Sequence, residues 1–203
     1  MKDINIFENF LNDEELEEAR QFIGDKLVLN PGIRKKYLQL GIIDWHFVPR
    51  DNCCKKILCH VPRDEVVGME FTMPSAKKFI LKIKNRIDKW TSLNFKLERV
   101  YLNRQVLGQD VPLHQDDSKP NVYTLLIYIG DITPENYDKA GGDLELKTKE
   151  NIRIEPFTKR AVLFKGYIPH HAYAPLVPGL TRISMAFKFI DTSNELPFIV
   201  NYS

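Results

Sequence analysis

The sequence predicts a mainly β, α+β domain in which N-terminal helices support a sandwich or barrel of short strands. Two observations carry this. Helical periodicity dominates before about Leu97, and strand periodicity dominates after it. The second half also breaks into short β-rich runs at close spacing, a pattern that suits sheets packed face to face or closed on themselves. With 203 residues, 43% of them apolar, the chain is long enough to bury a sizeable core. No repeat or low-complexity stretch divides it, so we expect a single domain over 1–203, with 1–96 as helical and strand support and 97–191 as the β core.

The first helix is announced by its cap. Asn12 can accept from the backbone of Glu15 while Glu15 reaches back, Leu11 can staple onto Leu16, and Leu16, Ala19 and Ile23 follow at helical spacing before Gly24. A second helix is expected from near Ser75, with Phe79, Ile83, Ile87 and Trp90 on one face and Lys77, Lys78, Lys82 and Lys84 on the solvated remainder. Between them, residues 28–70 mix Pro31, Gly32, Pro49, Pro62 and Gly68 with short apolar runs, which reads as short strands and loops. Strands are expected at 122–129, 144–147, 152–154, 161–164, 171–174 and 183–190, separated by Gly130, Gly141-Gly142, Gly166 and Pro178-Gly179.

Lys+Arg 29 against Asp+Glu 27 leaves a net charge of +2, too weak to imply a nucleic-acid partner by itself. Cys53, Cys54 and Cys59 are odd in number and crowded together, which suits thiols in a reducing compartment rather than a disulfide framework. With His60 they could form a metal cluster, but no second half with zinc spacing follows. No apolar run approaches the ~20 residues that span a bilayer, and the N-terminus lacks a signal-peptide core, so a soluble, cytoplasmic or otherwise intracellular protein without a membrane partner is expected.

His114-Gln115-Asp116 is the segment richest in chemistry. Alternate residues of a strand share a side, so His114 and Asp116 would project together with Gln115 turned away. The histidines downstream are His170 and His171, and either can complete a set of two imidazoles and a carboxylate. That set suits a catalytic Fe(II) that keeps open coordination positions. Near the C-terminus, Arg182, Ser184, Ala186 and Lys188 share one strand face and Ile183, Met185, Phe187 and Phe189 the other. The second face is core. The first sets a guanidinium beside small residues, leaving room for a carboxylate-bearing molecule that a planar fork of donors can grip. Tyr128 shares parity with Thr124 and Leu126, and Arg99, Tyr101, Asn103 and Gln105 share one face of an earlier strand.

From Asn9 to Ile190 the chain resembles the Fe(II)/2-oxoglutarate-dependent dioxygenases, most closely the prolyl 4-hydroxylase-like group. The resemblance rests on the order of Gly108, His114-Gln115-Asp116, Thr124 to Ile129, Gly141-Gly142-Asp143-Leu144, Arg160 to Phe164, and His171 through Phe189. It implies a double-stranded β-helix, a jelly-roll or cupin-like barrel. Counted from His171, Pro175 and Gly179 fall at the family's spacing, so the resemblance implies iron ligands His114, Asp116 and His171. It further implies that Arg182 and Tyr128 hold the far carboxylate of 2-oxoglutarate, with Asn103 as an added contact, and that no side chain beyond the metal ligands is catalytic. Cofactors would be Fe(II), 2-oxoglutarate and O2, with ascorbate as a reductant.

The implied activity is hydroxylation of an amino-acid residue, proline first, in a protein or peptide, with 2-oxoglutarate decarboxylated to succinate and CO2. Alternatives are an oxidative dealkylase of nucleic-acid bases, suggested by Asn103-Arg104-Gln105, and a catalytically silent binding barrel. Against the dealkylases, Gln105 stands where they carry a tyrosine and Ser184 where they carry an asparagine. Tyr37, Trp45, His46, Phe47 and the segment 131–140 are candidates to line the barrel mouth.

Overall fold

The computed structural model describes residues 3–21, 55–57 and 74–193. Strands β1 (Ile4–Phe7), β2 (Lys55–Ile57), β3 (Phe95–Gln105), β5 (Val122–Tyr128), β8 (Ala161–Lys165) and β10 (Arg182–Asp191) form a six-stranded sheet in the order β1-β8-β5-β10-β3-β2. Strands β4 (Val111–His114), β6 (Leu144–Leu146), β7 (Ile152–Ile154) and β9 (His170–Ala172) form a four-stranded sheet in the order β4-β9-β6-β7. Every ladder is antiparallel. This is the expected mainly β architecture with a double-stranded β-helix.

Period-two alternation in the large sheet builds two cores. Tyr123, Leu125 and Ile127 of β5 and Ile183, Met185, Phe187 and Phe189 of β10 face the helices, joining Leu16 and Ala19 of α1 (Asp13–Arg20) and Phe79, Ile83 and Ile87 of α2 (Pro74–Thr91). Leu126, Tyr128 and Ala186 point the other way and meet Leu144, Leu146 and Ala172 of the small sheet. Each large aliphatic side chain so buried contributes about 1.5–3 kcal/mol. The volume between the two sheets is where the inward side chains of β3, β5, β9 and β10 converge.

The helices behave as their sequences dictate, with one exception. At α1, Asn12 Oδ1 accepts from Glu15 N at 2.8 Å and Glu15 Oε2 accepts from Asn12 N at 3.1 Å, the expected capping box. In α2, Phe79, Ile83 and Ile87 are fully buried, whereas Trp90 is 51% exposed. It sits at the helix end, its ring against Phe7 and Phe10 at 5.4 and 5.3 Å. Glu15 is also more than a cap. It is buried and gripped by Arg86 and Lys82 from α2, clamping the helices together. Burial alone would raise its pKa, but these hydrogen bonds outweigh that and lower it to about 2.

The expected strands at 122–129, 144–147, 152–154, 161–164 and 183–190 appear within two residues of their predicted ends. The cysteine cluster, His60, Tyr37, Trp45, His46 and Phe47 lie outside the described residues. Segment 131–140 carries a short helix, α3 (Tyr137–Ala140), and Ala140 O accepts from Leu176 N at 2.8 Å, tying it to the β9–β10 loop. Among the described residues, no helix is long and apolar enough to cross a membrane.

Candidate active site

Two strand-register facts assemble the first half of the site. His114, the last residue of β4, pairs directly with His170, the first of β9, and His170 in turn lies opposite Leu146. Since Leu146 and Ala172 face the inner core, His170 does too, and His171 must face out. The third donor beside His114 and Asp116 is therefore His170, and the expectation of His171 is corrected. One nitrogen or oxygen from each of His114, Asp116 and His170 lies within 4.8 Å of the others. His171 instead stacks on Tyr173, with ring centroids 4.1 Å apart, across from Glu145 on the outer surface of the small sheet.

Asp116 reaches the cluster by a route that strand alternation does not describe. β4 ends at His114, and Asp116 follows in a bend whose backbone N–H donates to Gly166 O at 3.0 Å. Gln115 turns away, as expected, donating to Tyr167 O at 2.5 Å.

Both imidazoles are held in an orientation in which they could ligate a metal. His114 Nδ1 lies 2.8 Å from Pro112 O and His170 Nδ1 lies 2.9 Å from Ile168 O. A carbonyl can only accept, so each Nδ1 carries the proton and each Nε2 keeps a lone pair. Those Nε2 atoms lie 3.8 and 3.5 Å from the Asp116 carboxylate. Burial lowers the His170 pKa to about 4, so the ring is neutral at pH 7. Burial would raise the Asp116 pKa, but the adjacent Lys188 charge and the Thr124 hydroxyl outweigh it and bring it to about 2. Two imidazoles and an ionised carboxylate fit a divalent iron with positions to spare.

The second half lies further along β10. Arg182, 2% exposed, donates from Nε to Gly142 O at 2.9 Å, from Nη1 to Gln105 Oε1 at 2.6 Å and from Nη2 to the Tyr128 hydroxyl at 3.4 Å. Three of its five N–H groups are thus used, leaving one on each Nη, a fork suited to a carboxylate. No carboxylate among the described residues pairs with it. Tyr128 is fully buried, which pushes its phenol pKa up, so it keeps a proton to donate. Ser184 is cross-strand partner to both Tyr128 and Asn103, and Ser184 Oγ and Asn103 Oδ1 are buried without a hydrogen-bond partner. The Ser184 hydroxyl and the spare Arg182 N–H groups are donors that suit an anion, whereas Asn103 Oδ1 can only accept.

The glycine pair has a defined part here. Gly142 sits at φ +91, and a Cβ on it would come within 3.1 Å of Ile132 and 3.6 Å of the Arg182 side chain. That φ is one L side chains rarely adopt, so glycine is what lets the chain turn here with its carbonyl on the guanidinium.

These features agree with comparisons to known proteins. Residues 100–189 match the model of the 2OG-Fe(II) oxygenase superfamily. Over those residues the chain is similar to that superfamily. Fe(II), 2-oxoglutarate and O2 are what that superfamily uses, and the His114-Asp116-His170 cluster lies within the matched residues. No curated protein matched the chain. Among solved structures the fold resembles a Trichoplax adhaerens prolyl hydroxylase in complex with a hypoxia inducible factor oxygen degradation domain peptide, at 16% identity and TM-score 0.62, covering 93% of this chain and 84% of that one. It also resembles a Pseudomonas putida prolyl-4-hydroxylase (13%, TM-score 0.57, 93% and 92% covered) and SnoK, a non-heme alpha ketoglutarate dependent carbocyclase from nogalamycin biosynthesis (10%, TM-score 0.62, 94% and 80% covered). At these identities the likeness is one of fold.

Sequence reasoning passed over three residues of the candidate site. Gln105 orients Arg182, and Thr124 and Lys188 engage Asp116. All three were visible as members of inward strand faces, but their partners became visible only with the register.

Proposed function

We propose that the chain is an Fe(II)- and 2-oxoglutarate-dependent dioxygenase that hydroxylates an amino-acid residue, proline first, in a protein or peptide. One observation carries the reading: between the same two sheets, a cluster of two imidazoles and a carboxylate is paired with a buried arginine that has donors to spare and no carboxylate partner among the described residues. Likeness to two prolyl hydroxylases, one bound to a peptide, supports the choice of substrate.

In this reading the whole chain is one catalytic domain. His114 and His170, through Nε2, and Asp116 hold Fe(II). Arg182 and Tyr128 hold the far carboxylate of 2-oxoglutarate, the Ser184 hydroxyl can donate beside it, and Asn103, through its side-chain NH2, is an added contact. Bound together, Fe(II), 2-oxoglutarate and O2 supply the oxidation, placing one oxygen atom in a C–H bond and the other in succinate as CO2 departs. The protein's own part is positioning and the exclusion of water. Gln105 and Gly142 O fix the arginine fork, the raised Tyr128 pKa keeps its hydroxyl a donor, and the burial of His170 keeps it neutral. No general base is required.

Incubation with Fe(II), 2-oxoglutarate and proline-containing peptides should couple succinate formation to a mass gain of one oxygen on the peptide. Succinate formed without peptide oxidation, together with oxidation of a small-molecule control, would replace the polypeptide substrate with a small one. No 2-oxoglutarate turnover under any condition would overturn the reading.

A further inference from the structure

Lys188 is a buried charged side chain that the proposed reaction leaves without a role. It lies on the inward face of β10, 1% exposed, and its ammonium pairs with Asp116 Oδ2. Nζ also donates to Thr124 Oγ1 at 2.7 Å, while Thr124 Oγ1 donates to Asp116 Oδ2 at 2.6 Å. The three groups close a triangle on one carboxylate oxygen. Oδ1 faces His114 Nε2 at 3.8 Å, while His170 Nε2 lies 3.5 Å from Oδ2 itself, so Lys188 and Thr124 occupy an oxygen that also borders the imidazole cluster.

We infer that Lys188 is a resident counter-cation of the metal centre. It holds the Asp116 carboxylate in place before metal arrives by occupying Oδ2, and it weakens the centre's grip on a divalent cation. The inference rests on the reading of His114, Asp116 and His170 as metal ligands.

The physical argument concerns a charge that must be balanced in two states. Without metal, the cluster holds one buried carboxylate beside two imidazoles, and a buried charge with no partner is costly. Lys188 supplies that partner, so the metal-free barrel tolerates its own ligand set. Once a divalent cation enters, the ammonium becomes a like charge a few ångströms away in a poorly screened interior. The same arrangement favours a dianionic co-substrate, whose arrival offsets both positive groups. Metal and 2-oxoglutarate should therefore bind with positive coupling, each strengthening the other through Lys188.

The test uses Mn(II) alone as probe, titrated calorimetrically into the full chain, with thermal unfolding of the metal-free protein as a second readout. Lys188→Met keeps much of the side chain's bulk and removes the charge. It should bind Mn(II) at least ~10-fold more tightly than the wild type, and its metal-free form should melt lower, with the gap narrowing at saturating Mn(II). Lys188→Arg, which keeps the charge, should retain the wild-type Mn(II) affinity. A merely structural lysine would lower the melting temperature without tightening Mn(II), so unchanged or weaker binding in Lys188→Met overturns the inference. Should that variant fail to fold without metal, Lys188→Gln is measured in the same way, with the same tightening expected and an unchanged affinity counting against the idea. Failure of the underlying site is distinguishable: a wild type that takes up no Mn(II), or binding that survives Asp116→Ala, removes the metal ligands themselves.

Discussion

The two faces of β10 are equally buried and do opposite work. Ile183, Met185, Phe187 and Phe189 turn toward the helices and are cohesive, filling space against α1 and α2. Arg182, Ser184, Ala186 and Lys188 turn into the barrel, where two cations and an orphan hydroxyl replace apolar packing. Burial alone therefore does not separate scaffold from site. What separates them is whether the buried atoms are satisfied by the protein itself. The helix-side face needs nothing further, whereas Ser184 Oγ and two of the Arg182 N–H groups have no partner among the described residues.

Substitutions can break this comparison from either side. Phe187→Ala, on the cohesive face, should cost about 3–5 kcal/mol of stability, read by urea unfolding. A loss under 1 kcal/mol would mean that the helices do not pack on the sheet as described. Next in size is the clamp beneath that face. Glu15→Gln should cost about 3 kcal/mol, because it breaks a buried ion pair and leaves Arg86 uncompensated. Its pH signature is distinct. A carboxylate lowered to about 2 in the folded state contributes stability that is full above its unfolded value near 4.5 and is lost as pH falls toward about 2. The wild type should shed that increment between those values, and Glu15→Gln should show a correspondingly shallower acid limb.

On the other face the expected losses are in binding. Arg182→Met should weaken 2-oxoglutarate binding in the presence of Mn(II) at least ~100-fold, while losing less than half the stability that Phe187→Ala loses. Equal destabilisation by the two would erase the distinction between the faces. The smallest effect is expected at Gln105→Ala, which leaves the guanidinium in place but unanchored at Nη1. It should raise the 2-oxoglutarate dissociation constant by roughly tenfold, the scale of one hydrogen bond to a charged group.

The parity of β10 was legible in the sequence because alternation over eight residues fixes two faces without knowledge of neighbours. The capping box at Asn12 and Glu15 was legible for the same reason, both partners lying within one turn. His170 was not, because adjacent strand residues point oppositely and only pairing decides which one faces inward. Spacing to Pro175 and Gly179 favoured His171, whereas the pairing of His114 with His170 sets the register. Asp116 had the right neighbour for an incomplete reason, since it stands past the end of β4 and is aimed by Gly166 rather than by strand alternation. The Glu15–Arg86 and Lys188–Asp116 pairs join residues distant in sequence, and local pattern carries no signal of them.

The comparison between His170 and His171 isolates the central claim in two neighbouring residues. Mn(II) titration of His170→Ala and His171→Ala, with circular dichroism to confirm folding, tests it most directly. The account predicts that His170→Ala loses Mn(II) binding and Mn(II)-dependent 2-oxoglutarate binding, while His171→Ala keeps both within about twofold of the wild type. Retained binding in His170→Ala, with loss in His171→Ala, would contradict it.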